Sequence, residues 1–178
     1  RWLHEQIILR GIVAIRGEGR VFSYVEDLRA RQFDTVDRIA ERQHARVKEL
    51  LQYAAERSPY YRSRLKAADG HIVALADAPF LTKAILQAQL DELRAQPSPA
   101  QVTLKTTGGS TGQAVTVIKD RDALAREMAA TWLAYGWFGV RPGDKSARFW
   151  GAAPTLKRRL RAAAVRFAVR RVNFSAFA

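Results

Sequence analysis

The sequence predicts a mixed α/β chain in which helices come first and a hairpin carrying a Gly/Ser/Thr loop follows. Three observations carry this reading. Two stretches before residue 97 place apolar residues at helical spacing, Pro97 and Pro99 then interrupt the pattern, and β-branched runs flank a glycine cluster at 106–112. The chain divides into a helical region at 1–99 and the start of an α/β region at 100–178. At 178 residues it has the length of one ordinary domain, able to bury roughly two thirds of its unfolded surface.

The first clear helix is predicted over 34–57, where Val36, Ile39, Ala40, Val47, Leu50, Leu51 and Ala54 alternate with charged residues. Asp34 is placed to cap it, and Pro59 disfavours helical geometry beyond Arg57. Tyr60 and Tyr61 are expected to pack against this helix. A second periodic run holds Ile85, Leu86, Leu90 and Leu93, with Thr82 as its cap and Pro97-Ser98-Pro99 as a stiff end. Residues 102–106 and 114–118 read as strands on either side of the glycine cluster. Asp120 then caps a helix in which Leu124, Met128, Thr131, Trp132 and Tyr135 share a face, ending near 136–139. Arg141-Pro142-Gly143-Asp144 is a turn, 146–150 a strand, and 154–171 a basic helix.

Several chemistries are disfavoured by composition. There is no cysteine, which removes disulfides and thiolate metal sites and fits a cytoplasmic protein. His4, His44 and His71 lack a paired spacing, so they read as surface or capping residues and no metal site is assigned. Apolar runs near the start are closed by Arg10 and Arg16, well short of a membrane span. The net charge is +13, and 141–178 holds ten Lys or Arg against the single Asp144, a local +9. Such concentration describes one surface rather than the whole molecule.

The loop Thr106-Thr107-Gly108-Gly109-Ser110-Thr111-Gly112 is the most specific feature. Glycine permits positive φ and lets backbone amides approach a ligand, and successive amides can form a concave anion nest. The Ser and Thr hydroxyls add donors for phosphate oxygens. It is not a Walker loop, because no lysine precedes Ser110-Thr111 and no helix follows directly, and it does not match G-x-G-x-x-G. A plain Gly/Ser hairpin turn is the competing reading from composition alone.

In residue order this loop resembles the phosphate-binding signature of adenylate-forming enzymes. Ser58-Pro59-Tyr60-Tyr61-Arg62, Pro79-Phe80-Leu81-Thr82-Lys83, Trp150-Gly151 after Gly143-Asp144-Lys145, and Asn173-Phe174-Ser175-Ala176-Phe177 narrow the resemblance to the phenylacetate-CoA ligase family and its capsule-biosynthesis relatives. The resemblance implies the N-terminal portion of the adenylate-forming ligase fold and activation of a carboxylic acid by ATP with Mg2+. The resulting acyl adenylate would pass to coenzyme A. It implies phosphate binding by Thr106, Thr107, Gly108, Gly109, Ser110, Thr111 and Gly112, with Ser110 and Thr111 as hydroxyl donors to the β- and γ-phosphates. Gln113-Ala114-Val115 departs from the proline or lysine usual after the last glycine. The family's later elements have no counterpart before Ala178, so the chain is expected to be a truncated front portion that does not complete the reaction alone.

Two further features have bland first readings. Leu156, Leu160, Ala163, Ala164 and Phe167 oppose seven Lys or Arg residues, which describes a surface helix, with an anionic membrane or nucleic acid as alternative partners. No aromatic ribonucleoprotein signature or zinc-finger spacing accompanies the charge. Trp132, Tyr135, Trp137, Phe138, Phe149 and Trp150 are expected to pack in the core rather than to line a substrate pocket.

Overall fold

The computed structural model describes residues 4–15, 17–97, 101–107, 114–150 and 170–175. It is a mixed α/β chain in two compact units, one formed by 33–121 and the other by 1–32 together with 122–178.

In the 33–121 unit, α1 to α6 and β1 to β4 being numbered through the whole chain, the long helix is α3 (Val36–Arg57). Its cap is Thr35, not the expected Asp34. The Thr35 side chain accepts from the Arg38 amide, while the Asp34 carboxylate is taken by the Arg42 guanidinium. The helix stops at Arg57 as the following proline requires, with the Ser58 amide donating to the Ala54 carbonyl. Its apolar stripe is only partly covered: Ala55 is buried, whereas Val36, Ile39, Leu50 and Tyr53 are exposed.

The chain then folds back through a turn that buries Tyr60 and Leu65. Tyr60 meets Tyr61 edge-on at 4.9 Å and carries the Arg64 guanidinium 4.1 Å over its ring. The Ser58 hydroxyl and the Tyr60 amide both donate to the Glu92 carbonyl, at 3.0 Å each, which ties this turn to the second periodic run. That run is broken into α4 (Lys83–Ala88) and α5 (Leu90–Leu93), separated by Gln89. Thr82 caps α4 as expected, accepting from the Ile85 amide. β1 (Val102–Thr106) and β2 (Thr116–Asp120) close the unit as an antiparallel pair. The second strand starts two residues later than its β-branched run predicts, because Ala114 and Val115 belong to the loop base.

The other unit begins with a π-helix, His4–Leu9, that runs into α1 (Arg10–Ile15), followed by α2 (Val21–Arg31). These pack on α6 (Arg121–Trp137) through a core of Leu9, Val13, Val21, Val25, Ala125 and Ala129, flanked by Phe22, Leu28, Met128 and Trp132. The buried face of α6 is therefore rotated from the one predicted: Met128 and Trp132 belong to it, but Thr131 and Tyr135 are exposed. Small Ala125 and Ala129 let the helices approach closely, and a hydropathy pattern read on large residues misses them.

Helix α6 ends in a Schellman motif. The Gly139 amide donates to the Gly136 carbonyl and the Val140 amide to the Tyr135 carbonyl, with Gly139 at φ 74°. Pro142-Gly143 then forms a type II turn, with Gly143 at φ 88° and the Asp144 amide 3.0 Å from the Arg141 carbonyl. β3 (Ser146–Trp150) is where the sequence places it, and it pairs in parallel with β4 (Arg171–Ser175). Arg171 thus opens a strand and does not end a helix. The rest of the expected basic helix, 154–169, lies outside the described residues.

Candidate functional site

The stems of the glycine loop are built by local chemistry. Thr106 faces Thr116 across the ladder, their hydroxyls 3.0 Å apart. One step further, Thr107 clamps the opposite stem twice: its amide donates to the Val115 carbonyl at 2.9 Å, and its hydroxyl oxygen accepts from the Val115 amide at 3.0 Å. Val115 is buried. The Gln87 side-chain amide donates to the Ala114 carbonyl at 2.8 Å, fastening the returning stem to α4.

The chain from 108 to 113 therefore leaves and re-enters between two fixed points, Thr107 and Ala114. The candidate residues Gly108, Gly109, Ser110, Thr111 and Gly112 lie outside the described residues, as does Gln113. Of the candidate set, the structure places Thr106 and Thr107 together at the loop base. The Thr107 hydroxyl oxygen accepts the Val115 amide, and this bond leaves its O–H able to donate to a ligand.

Charge near the stems comes from Lys105 and Lys119, outside the glycine loop itself. The antiparallel register sets Lys105 opposite Val117 and Lys119 opposite Thr103, so both lysines project from one face of the hairpin. Strand alternation carried that signal in the sequence. Beside the same hairpin lies a cavity of about 320 Å³, lined by Tyr53 of α3, Leu86, Leu90 and Leu93 of α4 and α5, and Thr116 and Ile118 of β2. Arg94 and Asp120 also line it, so its wall mixes apolar and charged side chains, and its volume is at the lower end of small-ligand pockets. Among the described residues, no group of three or more His, Cys, Asp or Glu is placed to hold a metal ion.

The aromatic residues join the core only in part. Trp132 packs on Phe22 at 5.6 Å, but Tyr135, Trp137, Phe138 and Phe149 are exposed. Trp137 instead donates its indole N–H to the Gln32 side chain at 2.7 Å, and Phe149 stacks on Phe174. The Trp150 side chain lies outside the described set. Asp144 is a turn residue as expected, its carboxylate accepting the Arg141 amide at 2.8 Å. Among the described residues, no helix is long and apolar enough to cross a membrane. Comparison with protein-family models, with curated proteins and with solved structures finds no match.

Proposed function

We propose that the loop at 106–112 binds the phosphates of ATP, in a chain of the AMP-forming ligase type similar to the phenylacetate-CoA ligases. The observation that supports this most directly is the loop itself. Three glycines and four hydroxyl residues occupy seven positions, and the stems that hold them are pinned by Thr107, Val115 and Gln87. A rigid base with a glycine-rich span presents backbone amides and hydroxyls to a polyanion without ordering the whole hairpin at each binding event. In this reading ATP with Mg2+ activates a carboxylic acid to an acyl adenylate, and coenzyme A is the acceptor. Charge stabilisation at the phosphates is this segment's contribution, and Ser110 and Thr111 are its hydroxyl donors.

Titration calorimetry with ATP and Mg2+ tests the loop directly. Ser110→Ala and Thr111→Ala each remove a charge-assisted hydrogen bond of about 1.5 to 3 kcal/mol, so affinity should fall at least tenfold in each. Equal ATP affinity in the wild type and both variants would remove the phosphate role.

A further inference from the structure

Parallel strands ordinarily have both faces covered, and their sequences are accordingly apolar. The β3–β4 ladder departs from this. Register pairs Ala147 with Val172 and Phe149 with Phe174, so these four side chains share one face, and all four are exposed. Phe149 is 68% and Phe174 48% exposed, although their rings stack on each other at 5.1 Å and 18°. The result is a flat aromatic platform open on its outer side.

Its surroundings are cationic. The turn leading into β3 and the residue before β4 contain Arg141, Lys145 and Arg170 against Asp144 alone. Asp144 is occupied in its own turn. Lys145 and Arg170 immediately precede the two strands, and the Ser146 amide donates to the Arg170 carbonyl at 3.1 Å, so both stand at the same end of the platform. A second copy of a chain with net charge +13 is a poor occupant for such a face, since like charges would be brought together. An occupant with flat apolar faces and regularly spaced negative charge complements it.

We propose that the Phe149–Phe174 face of the β3–β4 ladder binds single-stranded nucleic acid, independently of the glycine loop. Bases stack on the paired rings while Lys145 and Arg170 contact the phosphates. Single strands suit the site because stacking on a side chain needs an unpaired base, which a duplex does not offer.

Fluorescence anisotropy of the full chain with a labelled oligothymidylate of about a dozen nucleotides, repeated across salt concentrations, tests this. Phe149→Ala and Phe174→Ala should each weaken binding roughly tenfold and leave the salt slope unchanged. Lys145→Ala should lower that slope by about one. Phe149→Leu retains an apolar side chain and should lose affinity like the alanine variant, which separates loss of stacking from loss of folding. Four outcomes would overturn the proposal: no binding at low salt, equal binding to duplex DNA that is indifferent to both phenylalanines, preferential binding to phosphatidylserine vesicles, or a dimer abolished by Phe149→Ala.

Discussion

At the scale of single residues, the best-defined polar cluster joins helices from the two ends of the chain. The Tyr24 hydroxyl donates to Asp122, whose other oxygen accepts from Arg126 Nε at 2.9 Å. Arg20 approaches the same carboxylate at 3.1 Å. The Arg126 and Arg20 guanidiniums also lie 4.2 and 5.5 Å from the centre of the Tyr24 ring. Burial pushes the Asp122 carboxyl up, but the Tyr24 and Arg126 hydrogen bonds and the two positive charges outweigh it and leave the group below its ordinary value. The Tyr24 phenol is raised by burial and by the hydrogen bond to Asp122.

A depressed carboxyl contributes stability above its unfolded value, near 4, and loses it as pH falls through the folded value. A raised phenol contributes below its unfolded value, near 10, and loses that as pH rises through the folded value. Tyr24→Phe should therefore cost about 1 kcal/mol between these limits, with the deficit shrinking at both extremes. Urea melts of the two proteins at stepped pH measure it, and a deficit that stays constant as pH falls through the acid limb would be inconsistent with the coupling. Nothing local in the sequence marks this cluster, because Tyr24 and Asp122 meet only after the chain has folded. The Thr82 cap was legible because its partner is three residues away.

At the scale of elements, what the sequence disclosed followed the range of the signal. The end of α3, the Gly139 terminator of α6, the Pro142-Gly143 turn and β3 are each specified within a few neighbouring residues, and they lie where the pattern puts them. Helix α2 carries the same kind of signal, with Val21, Tyr24, Val25 and Leu28 at helical spacing. The pairing of β3 with β4 could not be read, since parallel partners are joined by no turn and share no local signature. For the candidate site, residue order disclosed the loop and its hairpin setting, whereas the Gln87 tie depends on a contact across 27 residues.

The α6 terminator also supports a paired prediction. An added Cβ at Gly136 or at Gly139 would meet nothing within 4 Å, so the two positions differ in backbone alone. Gly136→Ala replaces glycine within the helix and should stabilise by about 0.5 to 1 kcal/mol. Gly139→Ala forces a Cβ onto φ 74° and should destabilise by about 1 to 2 kcal/mol. Thermal melts should move in opposite directions. A shift of the same sign in both would mean that the Schellman geometry is not what ends α6.

At the scale of the whole molecule, the order of the chain and the order of packing differ. The contiguous stretch 33–121 is one unit, and the segments on either side of it combine into the other. Leu9 and Val13 from the first helices, Val21 and Val25 from α2, and Ala125 and Ala129 from α6 occupy one core. Helix α6 has few large residues on that face, so its burial depends on what the N-terminal segments bring to it. Removing part of that contribution should therefore be felt in α6. Leu9 is 2% exposed, and Leu9→Ala should cost about 2 to 5 kcal/mol through lost burial and the cavity left behind. Local opening is governed by the contacts that hold an element in place. Amide hydrogen exchange around Ala125 and Ala129 should accordingly accelerate in Leu9→Ala, although the whole of 33–121 intervenes in sequence. If exchange in α6 stayed at wild-type rates while the N-terminal helices lost protection, α6 would be held by other contacts. The core would then be two local clusters, not the shared one that joins the ends of the chain.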